Sequence, residues 1–383
     1  MSARPVYITR VAAFLPNDPV GNDDMERILG QVGERPSRAR RLILRSNGIR
    51  TRYYAIDPKT LEPTHTNASL TAAAIRRLTG NGFDLQALEC LACGTSMGDQ
   101  IMPNHAAMVH GELQLQSLDL VATAGICLSG LTALRYAQLS VATGDRANAV
   151  ASGSELSSAL LASHNYGSNF EQNAALLEEQ PELAFEQDFL RWMLSDGAGA
   201  VLIEPQPRAN SLNLRVDWIE LFSYAGELPT CMYAGAVKTE SGTMQGWAGM
   251  TPHERNERGA MTLKQDVKLL NENIVHYAAE RPLQKLMAKR HLRASDYQYF
   301  LPHYSSHFFR DRLHEGLRRI DFDLPQERWF TNLSIRGNTG AASIYLMLDE
   351  LASSGRLRSG ERLLCFVPES GRFSAGFMSL TVM

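Results

Sequence analysis

Two helical stretches without a polar face dictate most of what this chain can become. LSGLTALRYAQLSVA (128–142) and TGAASIYLMLDELA (339–352) carry small or apolar residues nearly all round. A helix of that kind is buried, so protein must enclose each one. Strand-like runs surround both helices in a similar order. In the first half they are LECLACGTS (88–96), DLVATAG (119–125), NAVASGSE (148–155) and AGAVLIEP (198–205), with a further helix around 104–114. In the second half YQYFLPHYS (297–305), a helix over 306–319 and RWFTNLS (328–334) precede the helix that starts near Asn338. ERLLCFVPE (361–369) and SAGFMSLTV (374–382) follow it. A shift of 211 positions lays Cys127 on Asn338, Ala92 on His303 and the helix-ending Gly144 on Gly355. This is the pattern of a duplicated α/β unit, two copies facing each other, with halves at 1–206 and 207–383.

Composition narrows the function classes. Hydrophobic residues make up 44% of the 383 positions, enough for a real core. A net charge of −3 argues against bulk nucleic-acid binding. No apolar run approaches the roughly 20 residues that span a bilayer. The start, MSARPVYITRVAAFLPND, lacks a signal-peptide core and reads as a first strand and turn. A cytoplasmic protein without membrane or nucleic-acid partners is the expectation. Five scattered cysteines argue against a disulfide framework. Cys90 and Cys93 form a CxxC inside a strand-like run, with no second ligand pair, so no metal is expected there.

Three residues at segment ends could carry chemistry. Cys127 begins a buried helix, whose N-terminal partial charge and unpaired N–H groups favour a thiolate. A lone cysteine there is more commonly a core residue. His303 closes an apolar strand in FLPHYSS; His307 could share a helix face with it, but no third ligand completes a metal site. Asn338, taken alone, is a helix cap. Together the three form a set in which cysteine is the nucleophile while histidine and asparagine donate hydrogen bonds to a developing oxyanion.

On the motifs GICLSG (125–130), PHYSSH (302–307) and GNTGAAS (337–343), the sequence resembles the thiolase-fold condensing enzymes, specifically the β-ketoacyl-acyl-carrier-protein synthase III-like group. DGAGA (196–200) and, loosely, SGRFSAGF (370–377) extend the resemblance over roughly 5–382. It implies a thiolase fold, a duplicated five-layer αβαβα architecture, and an acyltransferase. Cys127 would take an acyl group from a carrier thioester. His303 and Asn338 would stabilise the enolate of the second substrate, often formed by decarboxylation of a malonyl-type unit. The backbone N–H groups of Cys127 and Gly371 would form the oxyanion hole. No cofactor is implied; the substrates are thioesters of acyl carrier protein or coenzyme A. A homodimer is also implied, with GDQIMPNHAAM (98–108) helping to line the partner's tunnel.

Departures from the family pattern point to a particular branch. Leu42 stands where many members have a tryptophan that stacks on adenine. Arg35, Arg38, Arg40, Arg41, Arg45, Arg50 and Arg52 crowd this segment, and Arg38, Arg41 and Arg45 are the expected carrier-binding set. A solvated charged face would use the same letters. Glu155 and Arg336 are charges beside an apolar acyl tunnel, costly unless used or paired. They are candidates for a second chemical step, with a structural ion pair as the alternative. FLPNDPV, PSRARRLILRSNGIRTRYYAID, THTNASLTA and PESGRFS are similar to the ketosynthase/cyclases that make dialkylresorcinols and cyclohexanediones. Other readings are a plain chain-initiating synthase, a thiolase-fold acyltransferase forming esters or amides, and a non-catalytic partner subunit. A Cys/His/Asn hydrolase uses the same chain order, but its C-G-[SA]-C-[WY] signature is absent.

Overall fold

The computed structural model describes residues 4–32, 40–80, 82–166, 189–239 and 241–383. Nine strands form its main sheet: β1 Tyr7–Phe14, β2 Cys90–Thr95, β3 Asp119–Ala124, β4 Ala149–Glu155, β5 Gly197–Glu204, β6 Leu214–Ser223, β7 Tyr299–Pro302, β8 Arg362–Glu369 and β9 Ser374–Val382. Their spatial order is β7-β8-β9-β6-β1-β5-β4-β2-β3. From the middle outward the first half runs β1-β5-β4-β2-β3 and the second β6-β9-β8-β7. The senses agree as well: β2 lies parallel to β4 as β7 does to β8, while β4/β5 and β8/β9 are antiparallel. The halves join through two residue pairs of β1 and β6, Tyr7↔Arg215 and Ile8↔Leu214.

The layering follows from side-chain alternation along the strands. Cys90 and Ala92 of β2 enter one hydrophobic cluster, with Leu363, Cys365 and Val367 of β8. That cluster also takes in the two helices without a polar face, α2 (Leu128–Thr143) and α4 (Ser343–Ser353). Leu91 and Cys93 point the other way, onto α1 (Asn67–Arg76). Leu364 and Phe366 likewise face outward, toward α3 (Arg310–Arg319). Helices therefore cover both outer faces and fill the middle, the five-layer arrangement of a thiolase fold. The CxxC cysteines sit on opposite faces of one strand, so they cannot share a ligand. Among the described residues, no helix is long and apolar enough to cross a membrane.

Glycine lets the two central helices meet. A Cβ at Gly130 or at Gly153 would lie 2.2 Å from the Ala341 carbonyl oxygen, a distance no side chain tolerates. Tyr345 fills the remaining space and donates from its hydroxyl to the Gly130 carbonyl at 2.8 Å.

Two sequence expectations fail locally. RWFTNLS is not a strand: only Trp329 bridges Phe300, and Phe330 N–H donates to the Phe300 carbonyl at 2.8 Å. The Asn332 and Leu333 carbonyls are taken by the turn Leu333–Arg336, so no ladder can continue. The second central helix starts at Ser343 rather than near Asn338. Gly340 has φ +48, outside the right-handed helical region, and Gly340–Ala342 forms a tighter turn ahead of it.

Candidate active site

Cys127 follows β3 and occupies the N-cap position of α2, but its side chain makes no capping hydrogen bond. Glu369, the last residue of β8, takes over that role. Its Oε2 accepts from the N–H of Ile126 at 2.9 Å and of Leu128 at 3.2 Å, on either side of the cysteine. Burial, then the Glu155 and Glu369 carboxylates, push the Cys127 thiol well above its ordinary range against the pull of its own N–H. The expected thiolate is thus corrected: burial first, and then the two carboxylates, favour the thiol form of Cys127 against the helix end.

His303 is buried at the end of β7, and its N–H donates to the Phe366 carbonyl at 2.8 Å. Burial lowers its imidazole to about 4, so it is neutral at pH 7 and can donate an N–H without carrying charge. His307 turns away, to Ser334 Oγ at 2.9 Å, and the two histidines form no pair. Asn338 is held by its backbone between Met193 and Ser195. Its Oδ1 accepts from Gly340 N–H at 3.0 Å, closing a local turn rather than capping the helix. That bond fixes the amide so that Nδ2 is the free donor.

Glu155, at the end of β4, has one oxygen fully engaged. Oε1 accepts from Ser96 Oγ at 2.6 Å, Ser96 N–H at 3.3 Å and Ala341 N–H at 3.0 Å. Burial nevertheless raises it to about 7, with those bonds opposing and Asp196 adding to the rise. Asp196, from DGAGA, is structural: it accepts from the Ala55 and Ser158 N–H groups at 2.7 and 2.8 Å and from the Ser158 hydroxyl.

Cys127, Asn338, Glu155 and Glu369 meet around one space. A cavity of about 770 Å³ is walled by Cys127, Asn338, Glu155, Glu369 and Gly371 among others. A narrow apolar pocket of about 60 Å³ shares Cys127, Ser305 and Ser370 with it and is lined by His303, Leu270, Ile274 and Phe309. Two chambers therefore join at the thiol.

Residues 287–378 match the family described as 3-oxoacyl-[acyl-carrier-protein] synthase III C terminal. The chain is also similar to the β-ketoacyl-[acyl-carrier-protein] synthase III of Streptococcus pyogenes serotype M4, 23% identical over 351 residues, 92% of this chain and 91% of the relative. The chain is an acyl-transferring condensing enzyme, similar to the synthase III group. Solved structures share its fold. AbyA1, a tetronic acid condensing enzyme, superposes with a TM-score of 0.74 at 20% identity, covering 98% of this chain and 99% of that one. Xanthomonas campestris OleA with lauric acid and lauroyl-CoA bound also gives 0.74, at 15% identity, with 98% and 99% covered.

Not every charge singled out in the sequence belongs to this condensing enzyme's cavity. Arg336 does not reach Glu155. It donates to Tyr53 Oη at 2.7 Å and pairs with Glu350 at 3.4 Å, in a separate cleft that also contains Arg77 and Asp349. The cause is the turn at Leu333–Arg336, which directs its side chain away from the Gly340 side. Arg52 is fully buried on the Trp192 carbonyl, and Arg40 pairs with Glu26 at 2.7 Å, so both are structural. Arg41 and Arg45 are exposed on the helix Arg40–Asn47, with Leu42 exposed beside them. Arg35 and Arg38 lie outside the described residues. Glu369 is the functional candidate that sequence reasoning missed. The signal was the acidic residue in PESGRFS, just where a glycine-rich turn approaches the nucleophile.

Proposed function

We propose that this condensing enzyme joins two acyl thioesters at Cys127 and then closes a ring, giving a cyclohexanedione or dialkylresorcinol precursor. Cys127 attacks the first thioester, and the departing carrier thiol leaves with its proton. The N–H groups of Cys127 and Gly371 hold the oxyanion of this step. Neutral His303 and the Asn338 amide then donate to the enolate oxygen of the second acyl unit, whose carbon attacks the acyl-cysteine. Donors are acyl carrier protein or coenzyme A thioesters. AbyA1 is a condensing enzyme of tetronic acid formation, and OleA binds lauroyl-CoA; both favour long or functionalised acyl chains here.

One observation carries the cyclisation. Glu155 stands in the same cavity as Cys127 with a carboxyl raised to about 7, and no cation neutralises it among its hydrogen-bond partners. A plain synthase needs no such group, whereas ring closure needs a base or acid beside the nascent β-diketone. Glu155→Gln preserves volume and removes the titration. It is expected to keep acylation of Cys127 and to lose cyclic product by about 10²-fold or more. Mass spectrometry of acyl-enzyme and product from one reaction decides it. Equal loss of both, or of neither, makes Glu155 a structural carboxylate and leaves a plain chain-initiating synthase as the better account.

A further inference from the structure

Glu155 has a counterpart across the cavity. Glu369 has one carboxylate oxygen pinned by two backbone N–H groups, at 2.9 and 3.2 Å. Its second oxygen, Oε1, has no hydrogen-bond partner among the described residues, and the residue is part of the wall of the 770 Å³ cavity. The two N–H groups it occupies flank Cys127, and Glu369 and Cys127 line the same cavity. A Cβ at Gly125 would lie 3.2 Å from Oε2, tighter than ordinary contact, so that glycine leaves the carboxylate room beside the nucleophile helix.

A carboxylate cap on a nucleophile helix is poor design if acylation is the only task. It places negative charge beside the sulfur and offsets the helix end that would have favoured a thiolate. Stability is no sufficient reason, since an uncharged serine or asparagine caps a helix about as well. The cost makes sense if the charge is used.

We propose that Glu369 is the base that removes the α-proton of the second acyl thioester, so that the first carbon–carbon bond forms without decarboxylation. The substrate class is then a simple acyl thioester with a CH₂ next to its carbonyl, not a malonyl unit. Glu369 takes the α-proton, and the C–H electron pair becomes the enolate held by His303 and Asn338. The enolate carbon bonds to the carbonyl carbon of acyl-Cys127. Collapse of the tetrahedral intermediate breaks the C–S bond and expels the Cys127 thiolate. The proton on Glu369 passes to that thiolate, which restores carboxylate and thiol; a β-ketoacyl thioester leaves and no CO₂ forms. Burial raises the Glu369 carboxyl, which strengthens it as a base and is opposed by its two backbone bonds.

This rests on the condensation proposed above, and the experiment separates the two. Glu369→Gln retains an oxygen that can accept from Ile126 and Leu128, so the helix end stays capped while the base is gone. Wild type and variant are acylated on Cys127, then offered either a plain acyl thioester or a malonyl-type thioester, whose loss of CO₂ supplies the enolate without a base. The expected result is a fall of about 10²-fold or more in the ratio of plain-acyl to malonyl-type condensation. Glu369→Asp, which keeps a carboxylate, should recover part of that ratio. An unchanged ratio, equal ratios in the Asp and Gln variants, or a wild type that condenses only the malonyl-type donor overturns the proposal. Failure of wild type to acylate at Cys127 would instead overturn the function on which it rests.

Discussion

A carboxyl group is useful beside a thiol when its proton is in play near neutral pH, and Glu155 meets that condition. Its folded value, about 7, lies above the ordinary 4.5 because burial disfavours the ion more than Ser96 and Ala341 favour it. The sign for stability follows: protonation of Glu155 supports the fold fully below pH 4.5, and this support is lost as pH rises through about 7. The loss is roughly 3 kcal/mol for a shift of that size. His303 works from the other side. Lowered from 6.5 to about 4, it favours the fold above pH 6.5 and ceases to as pH falls toward 4. The fold is thus strained slightly at both ends, as catalytic groups often require. Base catalysis needs the ionised Glu155. Formation of cyclic product by wild type should therefore climb through about pH 7, and the climb should vanish in Glu155→Gln. A wild-type profile with no inflection near 7 would remove Glu155 from the ring-closing step.

At the scale of elements, the helix Arg40–Asn47 is the proposed landing place for a carrier. It packs against the turn His307–Phe309, which follows the His303 segment, and it exposes Arg41, Leu42 and Arg45 outward. Exposed guanidinium groups act mainly on encounter and are screened by salt. Reversing both charges, in the double variant Arg41→Glu and Arg45→Glu, should raise KM for an acyl-carrier-protein donor by about tenfold at low salt while leaving kcat unchanged. The gap should close at high salt; a salt-independent KM would make the helix a solvated face only.

Elements were largely legible in the sequence because the two central helices have no polar face and the strands around them are bounded by turns. Trp329 misled: its apolar neighbours imitate a strand, whereas Asn332 and Leu333 carbonyls close a turn that periodicity cannot reveal. Asn338, Cys127 and His303 could be picked out by motif. Glu369 could not, since its importance depends on β8 ending beside a helix that begins 241 residues earlier in the chain. Arg336 failed for the same reason in reverse: adjacency to Asn338 in sequence did not bring it to Glu155.

At the scale of the whole molecule, the β3 margin of the sheet bears on assembly. β3 ends the sheet, and its residues from Asp119 to Val121 are only half-buried. Met97, Ile101 and Met102 expose large apolar surface in the loop just after β2, Met102 at 82%. An open sheet edge beside apolar side chains invites pairing with another chain. A second copy should cover both, and light scattering should give a mass near twice 42.4 kDa. A monomer at working concentration would refute that assembly. The duplication itself sets the final expectation, because it brings α2 and α4 together and so puts Cys127 and Asn338 on the wall of one cavity. Intact-mass measurement after incubation with a panel of acyl thioesters should find a single acyl adduct on the wild-type chain and none on Cys127→Ala. An adduct that persists in Cys127→Ala would contradict the account.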